Sequence, residues 1–506
     1  MARGWMTRAR SMVRRSAGWW LVPRVHRAVV VVQYHTGPVS GALRAQVIRR
    51  WVSLAASIMF LAFAYDLTRL PVQVHDSLGD IQDARLASSV WGAFLAPLHQ
   101  EGYLRPLKAA QIRLVFDLSR GHYAFAYRAV HLLLFGLTVW AFTWVMRVRT
   151  WADAAAAGFA LTVLLGLHTF SNLLREAYPI NHFLEIVLFS LVALGLAQSA
   201  PRPRNDVLVL VLFTAGALVV ESGLLIWVVV VAARLSGMKG ISLRGIALLT
   251  LLLGGYLGLR FLVFSNGIPL ITERSTGYFF RVLEQDDQVR LFGSRAWPLY
   301  AYNIAASMLS VLFSEPRAGQ LVATAQFLDG RLQPWTIVAL ASSLATTLLV
   351  LVAAVHASRS RSARDDGDRL FVVFGIVLVA NAVLSFAYAK GDIVSVAGAF
   401  YALAAYAAVR RILAVGVTGS LVSAAVVFGL LVVASTGWAL RTTGLHYSLR
   451  YQAFKVRNDW VSDVDPKWLE EPGARAVSEQ LRRAAVEKRV LAPRFYPRWE
   501  ERWFEE

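Results

Sequence analysis

The sequence contains no cysteine, so neither a disulfide framework nor a thiolate-held metal belongs to its design. Charge is also scarce: Asp, Glu, Lys and Arg make up 17% of the 506 residues, against about 25% in soluble domains. Carboxylates are the rarer sign, 32 against 52 Lys plus Arg, giving a formal net charge of +20. No His-Glu-x-x-His spacing occurs, so no dedicated metal site is indicated. No tandem repeat of about 20–50 residues is visible. No small-residue cleavage site follows the first apolar run, Ala28–Val32, so no removable leader is expected. What remains is apolar: 57% of the chain is hydrophobic and its mean hydropathy is +0.50, the composition of an integral membrane protein. The excess of basic residues does not signal a nucleic-acid partner. Lys and Arg sit in short clusters between apolar runs, the pattern that keeps cationic loops in the cytoplasm.

A bilayer core of about 30 Å needs about twenty apolar residues in a helix. On that basis the fold class is an all-α polytopic membrane protein with about 11 transmembrane helices. Residues 1–46 read as a basic cytoplasmic leader with an interfacial helix near Trp19 and Trp20, and residues 47–440 as the transmembrane domain. Spans are expected near Val47–Tyr65, Tyr127–Met146, Ala154–Phe170 and His182–Gln198. Val207–Leu235 is too long for one span and is interrupted at Glu221-Ser222-Gly223, so it reads as two short helices meeting outside. Further spans follow near Gly245–Phe264, Thr336–His356 and Leu370–Tyr388, then one ending at Arg410-Arg411, then Gly416–Trp438. Residues 299–314 are apolar, but a full crossing there would put Arg359, Arg361 and Arg364 outside, so they read as a re-entrant or interfacial helix. The segment 265–334 is then a second outer loop, and 441–506 an extracytoplasmic C-terminal cap with a helix around Glu479–Glu487. The N-terminus is cytoplasmic and the C-terminus extracytoplasmic.

The first outer loop, residues 66–127, is far longer than a turn between spans requires. Carboxylates cluster early in it (Asp66, Asp76, Asp80, Asp83), and aromatics follow at Trp91 and Tyr103. Then comes Tyr103-Leu104-Arg105-Pro106-Leu107-Lys108. Pro106–Leu118 spaces its apolar residues as an amphipathic helix. Three pieces in order, His75-Asp76-Ser77, Tyr103 to Leu107, and Tyr127-Arg128-Ala129-Val130-His131-Leu132-Leu133, resemble the GT-C superfamily of polytopic membrane glycosyltransferases, especially its O-mannosyltransferase-like branches. The sequence departs from that pattern where the acidic pair is reduced to Asp76, where Leu104 splits Tyr from Arg, and at Phe135, where a His is often found.

The resemblance implies a GT-C-like fold and an inverting glycosyltransferase in a bacterial-type inner (plasma) membrane. Its donor would be a polyprenyl-phosphate-linked sugar and its acceptor a glycan, lipid or protein. Asp76 takes the part of the essential acid of the first outer loop; a divalent cation there is left open. Glycosyl transfer needs a base to activate the acceptor hydroxyl and cations to stabilise the departing phosphate. Arg105, Lys108, Arg260 and Lys390 are the phosphate-binding candidates, and His75, Asp80, Glu176, His182 and Glu221 the supporting polar residues. Glu185, inside an apolar run, is a functional candidate or half of an internal ion pair with Arg175. Trp91, Tyr103 and Trp297 are candidates for stacking on sugar rings. Blander readings stand beside these. The acids form a solvated face, Arg260 reaches to the headgroups, and the aromatics belong to an interfacial belt in contact with membrane lipids. The alternatives to the enzyme are a transporter or flippase of a lipid-linked or polar solute, and a non-catalytic GT-C-like membrane protein.

Overall fold

The computed structural model describes residues 38–99, 104–264, 274–276, 282–284, 286, 289–290, 297–313, 319–359, 365–387, 389–415, 421–462, 464 and 470–487. The leader before residue 38, Tyr103, and the side chains of His75 and Asp76 lie outside that description. Among the described residues the chain is helical apart from a two-stranded antiparallel ribbon, β1 (Arg274–Thr276) with β2 (Val282–Glu284), inside the second expected outer loop. The ribbon is three residues on each side and leaves the fold all-helical; Thr276 and Val282, paired across it, are β-branched.

The first half comprises α1 (Pro38–Leu67), α2 (His75–Leu86), α3 (Val90–Leu95), α4 (Pro106–Ser119), α5 (Tyr123–Met146), α6 (Trp151–Gly166), α7 (His168–Arg175), α8 (His182–Gln198), α9 (Pro203–Val219), α10 (Leu225–Leu235) and α11 (Leu243–Gly258). The second comprises α12 (Trp297–Phe313), α13 (Gly319–Leu328), α14 (Pro334–Arg359), α15 (Asp366–Leu384), α16 (Ser395–Val415), α17 (Leu421–Ser462) and α18 (Pro472–Val486). Among the described residues seven helices are long and apolar enough to cross a membrane: α1, α5, α11, α14, α15, α16 and α17. They become eight if α6 and α7, bent by 61° at Leu167, form one crossing. The protein is thus a helical membrane protein, with α8 a further apolar helix just under that length.

α16 lies deepest, packed between α6, α14 and α15. Its run of Ala and Gly lets neighbours come close, which is how helices associate where no hydrophobic gradient drives them. The bend between α6 and α7 frees the Gly166 carbonyl, and buried Arg441 on α17 takes it at 3.1 Å. The same guanidinium donates to Ser343 Oγ at 3.0 Å and lies 4.4 Å from the Trp438 ring centroid. A broken helix inside a bilayer persists only where such groups satisfy the freed backbone.

Contacts sort the turns into two ends. At one, Arg410 pairs with Asp153 at 2.7 Å and Asp365 at 2.8 Å, Arg411 with Asp368 at 2.5 Å, and Arg147 with Asp366 at 3.5 Å and the Gln198 carbonyl. Asn205 reaches the Gly240 carbonyl at 3.0 Å, joining two more turns to this end. At the other end, α4 touches the α9–α10 break and α8, Gln73 bonds the Ala177 carbonyl at 3.0 Å, and Lys390 bonds Tyr178 at 3.1 Å. The basic turns expected on one side therefore share one end, and the acid-rich first loop shares the other with the turns at 172–185, 221 and 390.

α17 runs unbroken across residue 440; its 42 residues would be about 63 Å long at 1.5 Å per residue, twice a bilayer core. Its far half belongs to the second end, where buried Asp66 bonds His446 at 2.7 Å and Arg450 at 3.1 Å and Trp460 donates to the Val72 carbonyl at 2.6 Å. α18 then holds α2 through Gln82, which donates to the Ala474 carbonyl at 3.1 Å and Ser478 at 3.2 Å. The C-terminal segment is thus the support of the acidic helix. α12 has a different habit. Near its start Asn303 donates to the Phe386 carbonyl at 2.8 Å at the second end, and near its finish the Leu312 carbonyl accepts from Thr347 at 2.5 Å, midway along α14.

Candidate functional site

Three side chains from separate helix interruptions meet at the second end. Arg105 is the residue before α4, Glu221 opens the 3-10 turn between α9 and α10, and Arg260 sits on a π-helical turn after α11. Glu221 accepts from Arg105 Nε at 3.1 Å and Nη2 at 2.5 Å through one oxygen, and from Arg260 Nη1 at 3.0 Å through the other. Tyr256, one turn before Arg260, stands 3.1 Å from that guanidinium. Gly223 makes the break compact: a Cβ there would lie 2.1 Å from the Gly216 carbonyl carbon, so only glycine lets the turn fold back on α9. Arg105 and Glu221 are each about a quarter exposed, whereas Arg260 is 4% exposed.

Burial alone would raise the Glu221 carboxyl, but Arg105 and Arg260 outweigh it and bring it down to about 2 from the ordinary 4.5. A depressed carboxyl contributes its stability above its unfolded-state value and loses it as pH falls towards the folded one. Thermal unfolding in detergent should therefore show wild type well above Glu221→Gln at about pH 6, with the gap closing as pH falls from about 4.5 towards 2. A gap independent of pH would show that the charge of Glu221 does not contribute.

Lys108, one turn along α4 from Arg105, pairs with Asp80 of α2 at 2.9 Å. Asp83 is exposed, and its carboxyl is raised by partial burial and then by Asp80, with Lys108 opposing. One turn further, Gln111 donates to Glu185 at 2.8 Å, and Glu185 also takes His182 at 3.3 Å. Glu185 is therefore paired with His182 and Gln111, and Arg175 bonds Asn172 at 3.1 Å. Lys390 pairs with buried Asp392 at 2.8 Å. Burial would lower the Lys390 ammonium, but Asp392, Tyr178 and Glu176 outweigh it and raise it. Arg128, buried in α5, has neutral partners: His131 Nδ1 at 3.1 Å and the Tyr178 carbonyl at 2.5 Å.

α4 is thus the spine of the site, presenting Arg105, Lys108 and Gln111 on one face to Glu221, Asp80 and Glu185. Glu176, the residue after α7, contributes to the field at Lys390. Trp91 stacks on Phe94 at 5.1 Å and is exposed, as is Trp297 at the start of α12. Of the residues singled out from sequence, Arg105, Glu221 and Arg260 come together, as do Lys108 with Asp80, and His182 with Glu185. Tyr103 and the side chains of His75 and Asp76 fall outside the described residues. The role of Gln111, Tyr256 and Asp392 was not apparent from sequence. The spacing of Tyr256 and Arg260, four residues apart on one helical face, carried that signal. Among the described residues no three His, Asp or Glu side chains converge as a metal ligand set. No protein-family profile matches the chain, and no curated protein or solved structure matches it.

Proposed function

We propose that the chain is a membrane glycosyltransferase that moves a sugar from a polyprenyl-phosphate-linked donor to a glycan, lipid or protein acceptor at the second end of the bundle. The observation that carries this reading is the Arg105–Glu221–Arg260 arrangement, two guanidiniums oriented around one carboxylate beside the acid-bearing helix α2. A fixed guanidinium offers a phosphate two parallel hydrogen bonds. Arg105, the more exposed of the two guanidiniums, meets the donor phosphate with Arg260 behind it, and Lys108 and Lys390 extend the cationic field. Asp76, on the first turn of α2, is the base that takes the acceptor proton, and Trp91, Tyr103 and Trp297 are the candidates to stack on the sugar.

In this reading the crossings number eleven. To the seven long helices are added the bent α6–α7 and the shorter α8, α9 and α10, with α12 re-entrant because its end is capped halfway along α14. The end that collects Arg147, Arg204, Lys239, Arg410 and Arg411 is cytoplasmic by the charge rule, so the site faces outward in a bacterial-type inner membrane.

A transporter or flippase is the second reading, supported by the broken helix α6–α7, since discontinuous helices form many solute sites. Purified protein in detergent separates the two. A transferase consumes a polyprenyl-phosphate sugar in the presence of acceptor with no closed membrane. Activity confined to sealed vesicles would overturn the enzymatic reading.

A further inference from the structure

The start of α8 carries a polar arrangement that the proposed transfer does not yet use. Asn181 caps the helix, accepting from Leu184 N at 3.0 Å and donating to the Leu173 carbonyl at 2.7 Å, so the backbone at His182 is held firmly. His182 Nδ1 lies 3.3 Å from Glu185. A carboxylate can only accept, which puts the hydrogen on Nδ1 and leaves the lone pair of the neutral ring on Nε2. The other Glu185 oxygen takes the Gln111 amide NH2 at 2.8 Å, which fixes the amide oxygen as the free acceptor. His182 Nε2 and Gln111 Oε1 are both buried, and neither has a hydrogen-bond partner from the protein.

Two desolvated acceptors on either side of one carboxylate are unfavourable unless donors reach them. An anion is disfavoured, because both free atoms and Glu185 between them are negative poles. The site asks for neutral O–H groups. One turn before Gln111 on α4, the Lys108–Asp80 pair is about a quarter exposed on each side, so the polar row that ends at these atoms begins at water.

We propose that His182 Nε2 and Gln111 Oε1 accept hydrogen bonds from the hydroxyl groups of a sugar, and so form a specificity subsite. This deepens the transferase reading and rests on it, and the sugar belongs either to the donor or to the acceptor. Glu185 is the positioning residue: it holds the imidazole in the tautomer that accepts at Nε2 and leaves the amide oxygen as the free acceptor.

The test is equilibrium binding to purified protein in detergent. The donor arm uses polyprenyl phosphate bare and carrying mannose, glucose, galactose or arabinose. The acceptor arm uses the methyl glycosides of the same sugars. Wild type should bind one sugar-bearing probe at least about tenfold tighter than its counterpart lacking one hydroxyl, the deoxy sugar, because a site built for a hydroxyl rejects the analogue without it. His182→Phe keeps the ring volume but removes both nitrogens, and Gln111→Met removes the amide oxygen. In each the preference for the hydroxyl should fall below about threefold, while bare polyprenyl phosphate binds as before. Selectivity in the donor arm assigns the subsite to the donor sugar, and in the acceptor arm to the acceptor. A wild type that shows no hydroxyl preference in either arm overturns the proposal and leaves the two atoms to resident water; the deoxy comparison in wild type decides this even if a variant fails to fold. Because binding is read without turnover, intact sugar selectivity in a protein that transfers nothing would overturn the transferase reading alone.

Discussion

Replacing Asp76 by Asn should cut sugar transfer by about a hundredfold or more, the usual range for losing general acid–base help. Asn keeps the size and the hydrogen-bonding ability of the side chain and removes the charge that lets it take a proton. Expression and donor binding should stay close to wild type. Turnover of a polyprenyl-phosphate sugar by purified protein in detergent measures it. The neighbouring acids are unequal controls. Asp80 is tied to Lys108 at 2.9 Å, so Asp80→Asn also frees a cation of the site, whereas exposed Asp83 has no such bond and is the clean comparison. Should Asp76→Asn behave like Asp83→Asn, the base lies elsewhere. Two other acids are poor successors, because Asp66 is held by His446 and Arg450, and Glu221 by two arginines.

Much of the helical layout was readable from hydropathy and punctuation. The expected break at Glu221-Ser222-Gly223 is a 3-10 turn between α9 and α10, because a carboxylate in an apolar run forces the chain to find it partners. The amphipathic segment beginning at Pro106 is α4, with proline at its first turn, where a missing N–H costs nothing. The acidic group Asp365-Asp366-Asp368, an exception among basic turns, pairs with Arg147, Arg410 and Arg411, and that need for neutralisation explains its presence. Other features were hidden. The bend at Leu167 depends on Arg441, far along the chain, supplying donors to a freed carbonyl. The continuation of α17 to Ser462 was masked by a change from apolar to polar residues, which marks where a helix leaves its apolar surroundings but not where it ends. The pairing within the site was hidden by distance along the chain, as the bend was. Arg105, Glu221 and Arg260 are far apart in sequence and share no pattern; only the packing of α4 and of α11 against α9 and its break unites them.

Arg105→Ala should weaken binding of a polyprenyl-phosphate sugar by about 10- to 100-fold, the range expected for losing a charge-assisted contact to phosphate. The effect should fall on donor affinity first, since a phosphate contact is made before the transition state is reached. Stability should fall too, but less than on loss of Arg260, because Arg105 is about a quarter exposed and Glu221 keeps its second partner, Arg260, at 3.0 Å. Arg260→Ala should show the opposite balance. It removes a buried guanidinium that bonds Glu221 and Tyr256, so its first consequence is a lower unfolding temperature. Arg105→Lys should recover only part of the affinity, because an ammonium cannot repeat the two-pronged contact of a guanidinium. Titration of donor into purified protein, with bare polyprenyl phosphate in parallel, separates phosphate from sugar recognition: the Arg105 variants should lose affinity for both ligands by the same factor. If Arg105→Ala binds both as wild type does, the Arg105–Glu221–Arg260 arrangement is a helix clamp, and the phosphate must be sought at Lys108 or Lys390.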